Sequence, residues 1–427
     1  MKNFKDSGIE WLGEIPQDWQ IVPIRCCFGE FNARCNNNDY PLLSVTIANG
    51  VVYQNDITNK KDISNDDKSN YKIVPLGAIA YNKMRMWQGA IGINMLEKGI
   101  VSPAYIVAIP NKKININFSY YLLKSKNMIC EYEKYSYGLC SDMNNLRYED
   151  FQNIKIPLPP LKEQEQIANF LDEKCEQIAN FIEKKEKLIS LLKEQKQALI
   201  NETITKGLDK NVNFKDSGIE WLGEIPQHWE IVKLKYIISE KLTYGANETA
   251  ELSIKEHPRY IRITDFDENG FLKNDTFKSL LPEIAKNFLL SEGDILFARS
   301  GATVGKTFHF KNYQGMACYA GYLIKASINQ KIALSDYIFY YTKSYYYMQW
   351  KELILNKATI ENIGADKYSE LKIPLPSLKE QEEIVNFLDE KCEKIDLLIE
   401  KTKKQIKLIK EYKTTFINQA VCGRIDL

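Results

Sequence analysis

The chain has no run of apolar residues near the ~18 that a membrane-crossing helix needs, and its opening residues, MKNFKDSGIEW, lack an apolar leader core. A cytoplasmic location without a membrane attachment is expected. Histidine is scarce, with three in 427 residues (His228, His257, His309), which leaves little scope for imidazole catalysis. Nine cysteines are scattered without a CxxC pair, and Cys26, Cys27 and Cys35 do not have metal-ligand spacing. Reduced thiols and no metal site are therefore expected. Neither sign of charge dominates: 57 Lys and Arg stand against 56 Asp and Glu, for a net charge of +1. That excludes a globally basic polyanion binder, so any such contact must come from local patches or be shared with a partner. The stretch GDILFARSGATVGKT (293–307) ends like a phosphate loop, yet only three residues separate Gly301 from Gly305 where that loop has four. No complete Walker motif, no Asn/Asp-Pro-Pro-Tyr/Phe motif and no acidic-plus-lysine nuclease cluster is present.

What the sequence does contain is itself, twice. FKDSGIEWLGEIPQ occupies 4–17 and recurs unchanged at 214–227, each copy followed by a tryptophan (Trp19, Trp229). KIPLPPLKEQEQIANFLDEKCEQI (155–178) recurs as KIPLPSLKEQEEIVNFLDEKCEKI (372–395), matching at twenty of twenty-four positions. Between these frames, residues 26–153 and 237–370 share little sequence. A period near 210 residues is too long for a solenoid and describes a pseudo-twofold molecule made from one chain.

Each second frame opens on prolines and leads into a stretch without Pro or interior Gly, about 161–205 and 378–421. Apolar residues step by three and four along Leu171, Cys175, Ile178, Ile182, Ile189, Leu192 and Leu199. The second ladder is Leu388, Cys392, Ile395, Ile399, Ile406, Ile409 and Phe416. Such a seam predicts two long helices paired as an antiparallel coiled coil, interrupted in the first at Lys185 and Lys196. Two independent dimerisation helices are the alternative. Each helix would run about 65 Å at 1.5 Å per residue. The expected fold class is α+β: two mixed α/β modules in pseudo-twofold arrangement, joined by the two helices. Its boundaries are 1–157 for the first module, 158–207 for the first helix, 208–374 for the second module, and 375–427 for the second helix and tail.

Within the modules, VTIANGVVY (45–53) and YIRITDFDENGFL (260–272) alternate as strands do, the latter with an Asn-Gly turn and a return. Short helices are expected around 119–133 and 335–351, beside a curved central sheet. Gly77-AIAYNKMRMWQ-Gly89 aligns with Gly293-DILFARSGATV-Gly305 at an offset of 216. In that register Lys83 opposes Arg299, Arg85 opposes Gly301 and Ala90 opposes Lys306, so Gly-Lys-Thr is private to the second module. Both stretches read as a strand ending in a basic, polar loop that returns through glycine. Such a loop can reach phosphates or place Arg and Lys on guanine edges in the major groove, although a plain surface hairpin has the same pattern. The candidate contacts are Asn82, Lys83 and Arg85 in the first module. In the second they are Arg299, Ser300, Thr303 and Lys306, with Arg262 on a neighbouring strand. Trp87 could stack on a ligand or fill core, and Trp11, Trp19, Trp221 and Trp229 are expected to anchor each module on a helix end.

Taken together, the two copies of GIEWLGEIPQ and of the IPLPxLKEQExIxNFLDEKCExI helix entry resemble the specificity (S) subunit of type I restriction-modification systems, over essentially the whole chain. The resemblance implies that each module is a target recognition domain reading one half of an asymmetric, split double-stranded DNA sequence. It implies helices that set the gap between half-sites and dock two methyltransferase (M) subunits, with motor-nuclease (R) subunits completing the complex. It also implies a non-catalytic chain without cofactor, S-adenosylmethionine, ATP and Mg2+ belonging to the partners. The helix length caps the separation of half-sites on the order of 20 base pairs at ~3.4 Å each. A coiled-coil adaptor without DNA readout is the competing reading.

Overall fold

The computed structural model describes residues 3–35, 40–57, 67–138, 144–267, 270, 272–273, 275–355 and 362–425. The chain forms two compact units, Met1–Glu186 with Lys403–Leu427, and Lys187–Thr402. The architecture is α+β: two regions of mixed sheet and helix joined by two long helices, Leu161–Lys206 and Leu378–Val421, that pack on each other.

The repeated frames build the same scaffold in each unit. FKD and EIP pair as an antiparallel hairpin, Phe4–Asp6 with Glu14–Pro16 and Phe214–Asp216 with Glu224–Pro226. The next strand pairs with the strand that precedes the long helix: Gln20–Pro23 with Lys155–Leu158, and Glu230–Lys233 with Lys372–Leu375. The start and end of each module are thus stitched together, which leaves the intervening residues free to differ.

The helix entry carries the side chains that hold this scaffold. Trp19 and Trp229 are fully buried, and their indole N–H groups donate to Glu163 at 2.9 Å and to Glu380 at 3.0 Å. Gln164, also buried, accepts from the Asn115 N–H and donates to the carbonyls of Lys113 and Pro159. Gln381 does the same with Leu334, Ile332 and Pro376. Tyr121 donates to Asp172 at 2.5 Å and Tyr340 to Asp389 at 2.6 Å. A buried amide left without these partners would cost a few kcal/mol, so Glu, Gln and Asp recur at fixed places in both copies.

Each unit is closed by the end of the other long helix. Gly207 and Gly423 cap the helices at positive φ; a Cβ on Gly423 would meet Pro16 at 2.6 Å and Trp19 at 3.0 Å, and one on Gly207 would meet Trp229 at 3.2 Å. Ala420, Val421 and Cys422 lie in the core around Leu12 and Trp19, and Ile200 and Ile204 in the core around Trp229. The tryptophans do anchor helix ends, as expected, whereas Trp11 and Trp221 are only half-buried. Within each unit the helices run antiparallel: the Phe170 and Phe416 rings meet at a tilt, 5.5 Å apart, in one, and Lys196 donates to Asp396 at 2.6 Å in the other. Lys196 therefore does not open the seam; it is neutralised across it.

At the centre of each module is a four-stranded antiparallel sheet of common topology. In the first module the order is Phe28–Glu30, Tyr105–Pro110, Ile79–Asn82, Ile91–Ile93; in the second, Thr243–Tyr244, Leu323–Ala326, Ile295–Ala298, Thr307–His309. The helices behind the sheet break in two, at Ser125 and near Ser344, giving Ile116–Lys124 and Lys126–Lys134, then Ser335–Thr342 and Tyr345–Leu355. Ser125 caps the new helix by accepting from the Met128 N–H, which a continuous helix would not permit.

The accessory sheets differ. The alternating stretch around 45–53 forms a hairpin, Leu43–Thr46 with Gly50–Tyr53, and Lys72–Val74 pairs antiparallel with Gly99–Val101. In the second module Arg259–Ile261 pairs parallel with Ala317–Tyr319. Among the described residues, the return expected over 260–272 shows one bridge, Phe266 to Leu272, and Asp265 turns back to accept from the Arg262 N–H. Residues 268, 269 and 271 of that stretch, the second of them the asparagine of its turn, lie outside the described residues.

Candidate nucleic-acid interface

The two glycine-to-glycine stretches occupy the same place in their sheets. Each begins as a central strand, passes through a single 3-10 turn (Met86–Gln88, Gly301–Thr303) and returns as the edge strand. All four glycines, Gly77, Gly89, Gly293 and Gly305, have positive φ, which is why glycine marks both ends of both loops. The Asn82 N–H donates to Ala90, and the Ala298 N–H to Lys306, so Ala90 and Lys306 are equivalent. The Lys83 carbonyl accepts from the Leu146 N–H at 2.9 Å, and the Arg299 carbonyl from the Ile363 N–H at 2.8 Å, so Lys83 and Arg299 are equivalent too. Gly-Lys-Thr leads into a strand rather than a helix, and the Thr307 hydroxyl is buried against Thr342 at 2.7 Å. Neither feature suits a phosphate loop, which opens onto a helix N-terminus.

The expected contact residues fall into two groups. Lys83, Arg85, Arg299 and Lys306 have no carboxylate within ion-pair distance among the described residues, and Arg85 and Lys306 are exposed. Arg262 is different: its Nε and Nη2 donate to buried Asp265 at 3.1 and 2.7 Å, and Nη2 also to the Thr276 carbonyl. Its guanidinium holds the local turn together. Asn82 is likewise engaged, its Oδ1 accepting from the Met84 N–H at 3.0 Å. Ser300 bridges to Asn362, and the Thr303 carbonyl accepts from Lys306, so both shape the second loop. Trp87 is half-buried, with its indole donating to the Met84 carbonyl at 3.2 Å.

The fold adds cations that no local pattern marked. In the first module Arg34 bridges Lys72, and burial lowers the Lys72 ammonium, Glu30 opposing and Lys83 and Arg34 reinforcing the shift. Arg34, Lys72 and Lys83 come from three separate segments and meet only through the topology. Behind each loop a lysine leaves the end of a helix to reach it. Lys124 donates to the Gly89 carbonyl at 3.2 Å and to Ile47 at 2.6 Å, and Lys343 donates to Thr307 at 2.9 Å. Burial lowers both, and Lys343 falls to about 8 with Lys306 and Lys196 adding repulsion. A Lys-Ser pair, 124–125 and 343–344, is the sole sequence trace of this feature. Such loops can present unneutralised cations to an anion while their backbones stay fixed.

Comparison with known proteins agrees with this geometry. The family model for the type I restriction modification DNA specificity domain matches residues 25–194 and 226–408. The type I restriction enzyme MjaVIII specificity subunit of Methanocaldococcus jannaschii is 27% identical, covering 99% of this chain and 96% of its own. The EcoKI specificity subunit of Escherichia coli is 24% identical over 48% of this chain and 44% of its own. Among solved structures, a chain from work on assembly and conformational transition of the type I restriction-modification system has a TM-score of 0.74 at 17% identity, covering 96% of this chain and 99% of that one. The HsdS subunit from Thermoanaerobacter tengcongensis has a TM-score of 0.57 at 18% identity, covering 96% and 98%. The chain thus belongs to the DNA-specificity subunits of type I restriction-modification systems, whose catalysis resides in the methyltransferase and motor-nuclease subunits and which carry no cofactor of their own.

Proposed function

We propose that each module reads one half of an asymmetric, bipartite sequence in double-stranded DNA, through the loop ending at Lys83 and Arg85 in one and at Arg299 and Lys306 in the other. The observation that carries this reading is the pairing of identical backbone placement with unlike, unneutralised side chains. One scaffold then offers two different chemical surfaces, and unlike surfaces select unlike half-sites. The long helices set the gap and hold two methyltransferase subunits, to which motor-nuclease subunits are added. Leu397, Leu398 and Leu408, each about half exposed on the second helix, suit such a partner face. Near-neutral charge fits a chain that shares its hold on DNA with those partners, in the cytoplasm where the target lies.

Exchange of residues 26–153 for another module tests the reading. Sequencing of modified bases in DNA methylated by the reconstituted complex should show one half of a gapped motif replaced and the other kept. Replacement of both halves, or of neither, would overturn it.

A further inference from the structure

Arg299 is the most firmly held of the unneutralised cations. Its N–H donates to the Tyr322 carbonyl at 3.0 Å and its carbonyl accepts from the Ile363 N–H at 2.8 Å, so the backbone is fixed on both sides. The guanidinium lies over the Tyr244 ring, 4.9 Å from its centroid. Its Nε is screened from solvent without an acceptor, and Nη1 makes only a long 3.5 Å approach to the Gly321 carbonyl. Stacking, not a counter-ion, therefore orients this side chain.

Tyr244 is held in turn. It sits on the edge strand Thr243–Tyr244, and its hydroxyl accepts from the Ala365 N–H at 3.0 Å. Ala365 is two residues beyond Ile363, whose N–H binds the Arg299 carbonyl. Backbone, hydroxyl, ring and guanidinium thus close a circuit: Arg299 to Ile363, along the chain to Ala365, to Tyr244, and back to Arg299. A planar fork fixed by a ring beneath it can meet two acceptors with its terminal nitrogens, and the O6 and N7 atoms of guanine present two acceptors in the major groove. Lys83, at the equivalent position, is a point charge that cannot form a fork. Nor is it recorded over any aromatic ring among the described residues.

Resting on the recognition reading above, we infer that Tyr244 is a specificity-determining positioning residue, which holds Arg299 for bidentate recognition of one guanine in the half-site of the second module. Tyr244 touches no base. It acts by making the guanidinium orientation unique, which turns a phosphate-seeking cation into a base reader.

The test uses the full chain assembled with its methyltransferase subunits and a randomised duplex library, with base preference read at every position. Arg299→Ala should flatten one guanine preference by about 5- to 150-fold. Tyr244→Leu should flatten the same position by at least fivefold, leaving the other half-site and the salt dependence unchanged. Tyr244→Phe keeps the ring and should retain the preference within about threefold. Arg299→Lys should lose it while keeping the salt dependence, and this variant tests the fork even if Tyr244→Leu folds poorly; preference at the first module's half-site reports folding. If Tyr244→Leu leaves the preference intact, or weakens many positions together, or if Arg299→Lys retains the guanine, the inference is overturned. A library without any sequence preference for the unaltered complex would instead sink the recognition reading itself.

Discussion

The two modules are one scaffold finished in two ways, and position 83/299 isolates the difference. The carbonyl there accepts from a backbone N–H at matching positions, Leu146 and Ile363, yet one side chain is a lysine and the other an arginine over a tyrosine ring. Ala90 and Lys306 differ in the same manner, on matching backbone bonds. Conserved placement with exchanged chemistry shows where stability and specificity are separated. The frames carry buried tryptophan and glutamine; the loop tips carry side chains that nothing in the described protein neutralises.

The comparison breaks first if the frames are unequal. Trp19→Ala and Trp229→Ala should each cost about 3–5 kcal/mol by denaturant unfolding, since each empties a fully buried site and removes one hydrogen bond to a carboxylate. A clear disparity between them would show that the scaffolds are not equivalent. Gln164→Leu and Gln381→Leu should follow at about 2–3 kcal/mol each, because three bonded backbone groups lose their partner. The loops should then divide by chemistry. Arg299→Ala should cost roughly 1–3 kcal/mol at one base position, whereas Lys83→Ala should weaken all sequences alike and lower the salt slope by about 1 in a titration of binding against salt.

A pH titration sharpens the contrast. The folded-state pKa of Lys343 is about 8 against an ordinary 10.5. Below about 8 both folded and unfolded chains hold the proton, and the burial penalty is fully present. As pH rises from there toward 10.5 the folded chain releases the proton first, so the fold gains stability across that window. Lys343→Met should flatten the gain in urea-unfolding midpoints. Lys306→Ala should narrow it by removing the nearby charge, an effect that Lys124, shifted by burial alone, cannot show in the first module. The smallest change is expected from Lys196→Ala, about 0.2–1 kcal/mol, because Asp396 is half exposed.

Much of the scaffold is legible in the sequence because its demands are local and strict. A glycine at positive φ leaves a mark, and a Gly-to-Gly spacing of twelve is enough to set the two loops in register. The helix ladders are legible for the same reason: their period is local. What topology assembles is not. Tyr244 lies 55 residues from Arg299 and Arg34 lies 38 from Lys72, and no pattern at either end signals the meeting. Arg262 shows the converse. Charge marked it as a contact, while Asp265 three residues on supplies a carboxylate partner that the other loop cations lack among the described residues. The opposite strand directions of the accessory sheets also escape a local reading, since alternation is the same for parallel and antiparallel pairing.

The closure of the first unit by residues 420–425 has a temporal meaning. Arg424 donates to the Leu12 carbonyl and Val421 packs in the core of Leu12 and Trp19, more than 400 positions upstream. The second unit draws its closing turn, Ile200 and Ile204, from residues that precede its module. During synthesis the module that emerges first must therefore wait with an unfilled core, while the module that emerges second can finish as soon as its own helix appears. Order of manufacture and order of completion are reversed along this chain.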